Sequence, residues 1–99
     1  MILESAEILV KPGMEEAFEA GVREAAPLFR RARGCTGMRL QRGIENRRAY
    51  RLLVQWDTVE DHTVHFRGSD DFQAWRALVG HCFDGAPNVS HLASVFEAF

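Results

Sequence analysis

Met14, Ala17, Phe18, Gly21, Val22, Ala25, Phe29 and Ala32 recur at i, i+3, i+4 and i+7, the pattern of a helix with one buried face. Glu15, Glu16 and Glu19 near its start and Arg30, Arg31 and Arg33 near its end complement the helix dipole, and Gly34 supplies a stop. Pro27 lies inside this pattern, where it removes a hydrogen bond and crowds the carbonyl four residues back. The expectation is a kink around residues 23–27, or two helical pieces. Ahead of the helix, residues 2–10 are apolar with Glu4, Ser5 and Glu7 interspersed, as in a strand with both faces partly covered. Lys11-Pro12-Gly13 breaks that strand.

Residues 35–44 predict a second strand, with Met38, Leu40 and Ile44 on one face and Arg39 and Gln41 on the other. Residues 49–56 predict a third, in which Tyr50, Leu52, Val54 and Trp56 share a face. The polar link at residues 45–48 is short enough for an antiparallel hairpin. Asp57 or Thr58 caps a helix to about Arg67, Gly68 interrupts it, and Ser69 or Asp70 caps a second piece carrying Phe72, Trp75, Leu78 and Val79. A loop over residues 81–88 leads to a last strand at 89–96, with His91 on the face of Val89, Ala93 and Val95.

The order β-α-β-β-α-β predicts a single α+β domain over residues 1–99, a ferredoxin-like four-stranded antiparallel sheet with its helices on one face. Leu3, Leu9, Leu53 and Leu92 or their alternating neighbours then fall on the other face. An uncovered apolar sheet face predicts a homodimer with the two sheets packed together.

Composition narrows the function classes. The chain has 99 residues, 46% of them hydrophobic, and a formal charge of −2, which argues against disorder and against an electrostatically driven nucleic-acid binder. No apolar run reaches membrane-spanning length, and no basic-then-apolar leader opens the chain, so a cytoplasmic protein with no membrane partner is expected. Cys35 and Cys82 are far apart and form no CxxC motif, the pattern of two reduced thiols. Eight of the twelve basic residues fall between Arg30 and Arg51. Such a run is ordinarily a solvated face; its alternative is a rim that attracts an anion.

Residues 52–75 concentrate Trp56, His62, His65, Phe66, Phe72 and Trp75, and a small-molecule site is expected there. Lys11-Pro12-Gly13 with Phe18, then Gly34-Cys35-Thr36-Gly37-Met38-Arg39-Leu40, then Trp56 with His65 nine positions on, resemble the antibiotic biosynthesis monooxygenase family of the dimeric α+β barrel superfamily. The resemblance covers most of the chain. It implies a homodimer with a pocket in each subunit, and for some relatives oxidation of phenols or quinols by molecular oxygen with no flavin, haem or metal. Haem-degrading members of the superfamily resemble residues 66–72, but this chain has Phe66 where they carry a haem-contacting tryptophan and Arg76 where they carry the axial histidine. Haem degradation is therefore not expected.

The leading expectation is a cofactor-independent monooxygenase of a small aromatic or quinol-like compound. His65 is the expected base, since a neutral imidazole titrates near physiological pH. His62, one helical turn away, and Tyr50 would orient or stabilise the anion. Trp56, Phe66, Phe72 and Trp75 would wall the pocket, and His91 would reach either the pocket or the dimer interface. The bland readings are a histidine bonded to a helix carbonyl and aromatics that only fill the core. No third ligand accompanies His62 and His65, so no metal is expected. Arg67 and Arg76 either hold an anionic group or pair with Asp70, Asp71 or Glu60. The alternatives in function are a non-catalytic ligand-binding dimer and an isomerase of a small oxygenated metabolite.

Overall fold

The computed structural model describes all residues 1–99. Strand β1 (Ile2–Leu9) leads to helix α1 (Glu15–Arg30), then strands β2 (Cys35–Arg42) and β3 (Ala49–Trp56), a π-helical segment (Asp61–Phe66), helix α2 (Asp70–Val79), a 3₁₀ turn (Gly80–Cys82) and strand β4 (Asn88–Leu92). The sheet order is β2-β3-β1-β4 with every neighbouring pair antiparallel. This is the expected ferredoxin-like arrangement, with the helices on one face.

Register decides what meets the helices. Trp56 lies opposite Ile2, Val54 opposite Glu4, Leu52 opposite Ala6 and Tyr50 opposite Ile8. On the other side of β1, His91 lies opposite Glu4 and Val89 opposite Ala6. Paired residues point to the same face, so Glu4, Ala6 and Ile8 of the central strand join Trp56, Val54, Leu52 and Tyr50 beneath the helices. Phe18, Val22, Ala25 and Phe29 of α1 and Trp75 and Val79 of α2 close the core from above. Phe29 lies 4.8 Å from Phe66 and 5.1 Å from Trp75, ring centre to ring centre, which ties the two helices through aromatic edges. Gly21 lets the helices approach, since a Cβ there would meet Val79 Cγ1 at 2.9 Å.

Three expectations need correction. Helix α1 runs unbroken to Arg30 with Pro27 in its last turn. The carbonyl that Pro27 leaves without a partner is that of Arg23, an exposed residue that water can serve. Strand β4 stops at Leu92 rather than 96, where its pairing with β1 ends at Leu3, one residue short of the start of that strand. The segment after Trp56 is a π-helix over Asp61–Phe66, with Thr58 Oγ1 accepting from Asp61 N–H at 3.1 Å and Arg67 N–H bonded five residues back to the His62 carbonyl. Gly34, with φ of 77°, sets the turn into β2, and a Cβ on it would collide with the buried Asp61 carboxylate. No helix is long and apolar enough to cross a membrane.

Candidate active site

The buried polar groups of the core gather at one place. Trp56 Nε1–H donates to Glu4 Oε1 at 3.0 Å, and His62 Nε2 stands 3.3 Å from the same oxygen. His62 Nδ1 and His91 Nε2 are 2.8 Å apart. With the His62 proton on Nε2, on the side of the carboxylate, Nδ1 accepts from His91 Nε2–H, and the polar groups line up in the order Trp56–Glu4–His62–His91. Glu4 and His62 are 4% and 3% exposed, so the cluster is built into the core. The His62 ring also stacks on Trp56, with centres 5.4 Å apart and planes 20° from parallel.

The sheet topology explains the meeting. Glu4 sits on the central strand between His91 of β4 and the end of β3, and the π-helix drops His62 over all three.

Burial sets the charges. It pushes the Glu4 carboxyl up from 4.5 to about 7, against the Trp56 hydrogen bond and the positive charge of Arg67, which pull it down. It pushes the His62 imidazole down from 6.5 to about 4, with Arg67 and His91 adding to the same effect. Between about pH 4.5 and 6.5 an unfolded chain carries its proton on His62, whereas the folded chain carries one on Glu4. The fold has moved a proton from nitrogen to oxygen and buried a neutral pair in place of an ion pair. In that window the two linkages oppose: stability falls with rising pH through Glu4 and rises through His62. Above about pH 6.5 only the Glu4 contribution is left, and stability falls as its carboxyl ionises.

Glu4 also lines a cavity of about 520 Å³ between the sheet and α2. Ala6, Ile8 and Leu52 make its floor, Phe72 and Trp75 its aromatic wall, and Arg67 and Arg76 stand at its exposed side. A titratable carboxyl poised near neutrality at the inner end of a largely apolar cavity is suited to proton transfer with a bound molecule.

The expected site residues are thereby sorted. His62 and His91 are brought together, and Phe72 and Trp75 line the cavity. Trp56 and Phe66 lie behind it, 5.5 Å apart, with Phe66 edge-on to Phe72 at 5.7 Å. His65 is exposed, whereas His62 is buried. In an α-helix a spacing of three nearly superimposes two side chains; the wider π turn separates them. Tyr50 is buried but sits six positions from Trp56 along β3, about 20 Å at strand rise. There its hydroxyl donates to Glu19 Oε2 at 2.7 Å, and burial with that acid raises its pKa to about 12. It is not part of the His62 site. Glu4 escaped the sequence reading; its only signal was an acid at the same parity as Ala6, Ile8 and Val10.

The four-stranded sheet with its helices on one face, the cavity beneath α2 and the buried carboxyl–imidazole cluster define an α+β protein with a cavity of small-molecule size. The chain belongs to the antibiotic biosynthesis monooxygenase family, whose profile matches residues 1–78. It is 56% identical to a candidate antibiotic biosynthesis monooxygenase from Bordetella bronchiseptica, whose crystal structure superposes with a TM-score of 0.95 over 96% of this chain and 97% of that one. A second such candidate, from Caulobacter crescentus, is 26% identical with a TM-score of 0.83, over 96% of this chain and 90% of that one. Uncharacterized protein YczJ of Bacillus subtilis strain 168 is 39% identical over 95 residues, spanning 96% of this chain and 100% of the relative.

Proposed function

We propose that this chain is a cofactor-independent monooxygenase that oxidises a small aromatic or quinol-like compound with molecular oxygen, and that Glu4 is its base. The observation that carries the reading is the Glu4 carboxyl itself, buried, raised to about 7 and lining the cavity. Family membership supports the oxygenation class. In the proposed reaction a phenolic proton passes to Glu4, and the electron-rich ring carbon gives an electron to oxygen. Recombination forms a C–O bond, and the resulting peroxide takes up a proton. Loss of the ring hydrogen at that carbon breaks the O–O bond and releases water. Phenol and oxygen thus yield quinone and water, with no external reductant. His62 and His91 position the carboxyl and spread the charge it gains and loses.

The test is oxygen uptake by metal-stripped, flavin-free protein against a panel of hydroquinones and anthrones, beside His65→Ala. Uptake that requires the protein and persists in His65→Ala within about threefold is expected, because His65 faces solvent. Absence of uptake with every compound contradicts the oxygenase reading and returns weight to a binding dimer or an isomerase.

The same reading includes a homodimer. Leu3 and Leu53 are half-buried on the outer face of the sheet, Leu9 and Leu92 are exposed there, and Val95, Phe96 and Phe99 follow fully exposed. Exposed apolar side chains on the outer face of the sheet and in the segment after β4 support a second copy against the sheet. Sedimentation equilibrium is expected to give twice the chain mass; a monomer at micromolar concentration contradicts it.

A further inference from the structure

We propose that the molecule bound in the Glu4 cavity is an aromatic acid: a hydroxylated ring whose phenol points inward to Glu4 and whose carboxylate is held at the mouth by Arg67 and Arg76. The inference rests on the reading of Glu4 as the base, and adds the chemical class of the substrate.

Arg31, Arg33, Arg42, Arg48 and Arg51 each have a carboxylate partner. Arg67 and Arg76 have none, although Asp70 and Asp71 are close in sequence. Asp71 is taken by Arg31, which holds both its oxygens at 2.7 Å. Arg23, Arg30, Arg39 and Arg47 are also without a carboxylate partner but lie elsewhere; Arg67 and Arg76 are the two unpaired arginines that line the Glu4 cavity, and the rest of that lining offers a single acid, Glu4. Glu4 lies at the inner end, held by the Trp56 N–H with His62 beside it, so the guanidiniums at the mouth keep their donors for a ligand.

The cavity is therefore polar at both ends and apolar between them. Phe72 and Trp75 offer ring faces and edges to a flat molecule, and the Arg76 guanidinium stands 6.0 Å from the centre of the Phe72 ring. A guanidinium presents a fork of N–H donors that matches a carboxylate, and it stays charged at every relevant pH. A neutral phenol of the same shape would fill the apolar middle and leave those donors to water. The volume of about 520 Å³ falls within the range of cavities that enclose small ligands.

The experiment is calorimetric titration of the intact protein with 6-hydroxy-2-naphthoate and with 2-naphthol, which differ only in a carboxylate at the end remote from the hydroxyl. The acid is expected to bind about tenfold tighter, an advantage that shrinks with added salt. In the Arg67→Gln, Arg76→Gln double variant that advantage is expected to vanish while 2-naphthol still binds, which also shows that the cavity is still formed. Equal or tighter binding of 2-naphthol overturns the proposal, as does an advantage that survives in the double variant, or no binding of either compound. Binding is read without turnover. A clear preference for the acid with no oxygen uptake from any phenol would therefore sink the oxygenase reading and leave the ligand class standing. Uptake from neutral phenols with no preference for acids would do the reverse.

Discussion

Glu4→Gln is expected to lower turnover about 10²- to 10⁴-fold while the protein still folds, the loss typical of removing a positioned general base. Glutamine keeps the shape of the side chain, and its carbonyl oxygen can accept the Trp56 N–H that Glu4 Oε1 accepts at 3.0 Å. What disappears is the ability to take a proton. The wild-type rate should rise with pH through about 7, where the carboxyl ionises, and level off above it. The residual rate of Glu4→Gln should show no such limb. Steady-state kinetics and thermal unfolding of the two proteins check this together. A variant that unfolds at the wild-type temperature yet retains more than about a tenth of the rate would remove Glu4 from the chemistry.

Trp56→Ala is expected to cost about 3–5 kcal/mol of folding stability, measured by denaturant unfolding. Trp56 is fully buried and touches both halves of the structure: its ring packs against Phe66 and His62, and its N–H holds Glu4. Truncation opens a cavity at the closed end of the core and leaves a buried carboxyl short of a donor, two separate penalties. Set against the few kcal/mol by which a chain of this size is usually stable, that loss leaves a barely folded protein. Trp56→Phe separates the penalties. It restores most of the volume but not the N–H, which now pulls the Glu4 carboxyl down. The Glu4 pKa, and with it the acid limb of the rate, should therefore move upward in Trp56→Phe. A loss below about 1 kcal/mol in Trp56→Ala would mean that the aromatic stack around Phe66 does not depend on it.

The periodicities carried most of the fold. The helical spacing of Phe18, Val22, Ala25 and Phe29 and the alternation of Tyr50, Leu52, Val54 and Trp56 are the two faces that meet in the core. Ser69, expected as a cap, does accept from Phe72 N–H at 3.2 Å. The site was less legible, for three physical reasons. Strand β1 carries leucines on one face and Ala6, Ile8 and Val10 on the other, so its pattern does not say which way Glu4 points; pairing with β3 decides it. A π-helix differs from an α-helix by a one-residue shift in hydrogen bonding, which hydrophobic spacing does not record, and that shift separates His62 from His65. Tyr50 and Trp56 share a face, but face is not position: six strand residues put them at opposite ends of the sheet. Of the acids posed as partners for Arg67 and Arg76, Asp71 is claimed by Arg31, forty residues away in sequence, a pairing that local spacing does not reveal.

The fold holds a carboxyl poised near neutrality at the wall of its cavity. Carbon-13 NMR of glutamate-labelled protein, with Glu4→Gln to assign the signal, tests it without any substrate. The Glu4 carboxyl is expected to titrate with a midpoint near 7. A midpoint near the ordinary 4.5 would contradict it, for Glu4 would then be an ordinary ionised acid and the proposed proton transfer would lose its base.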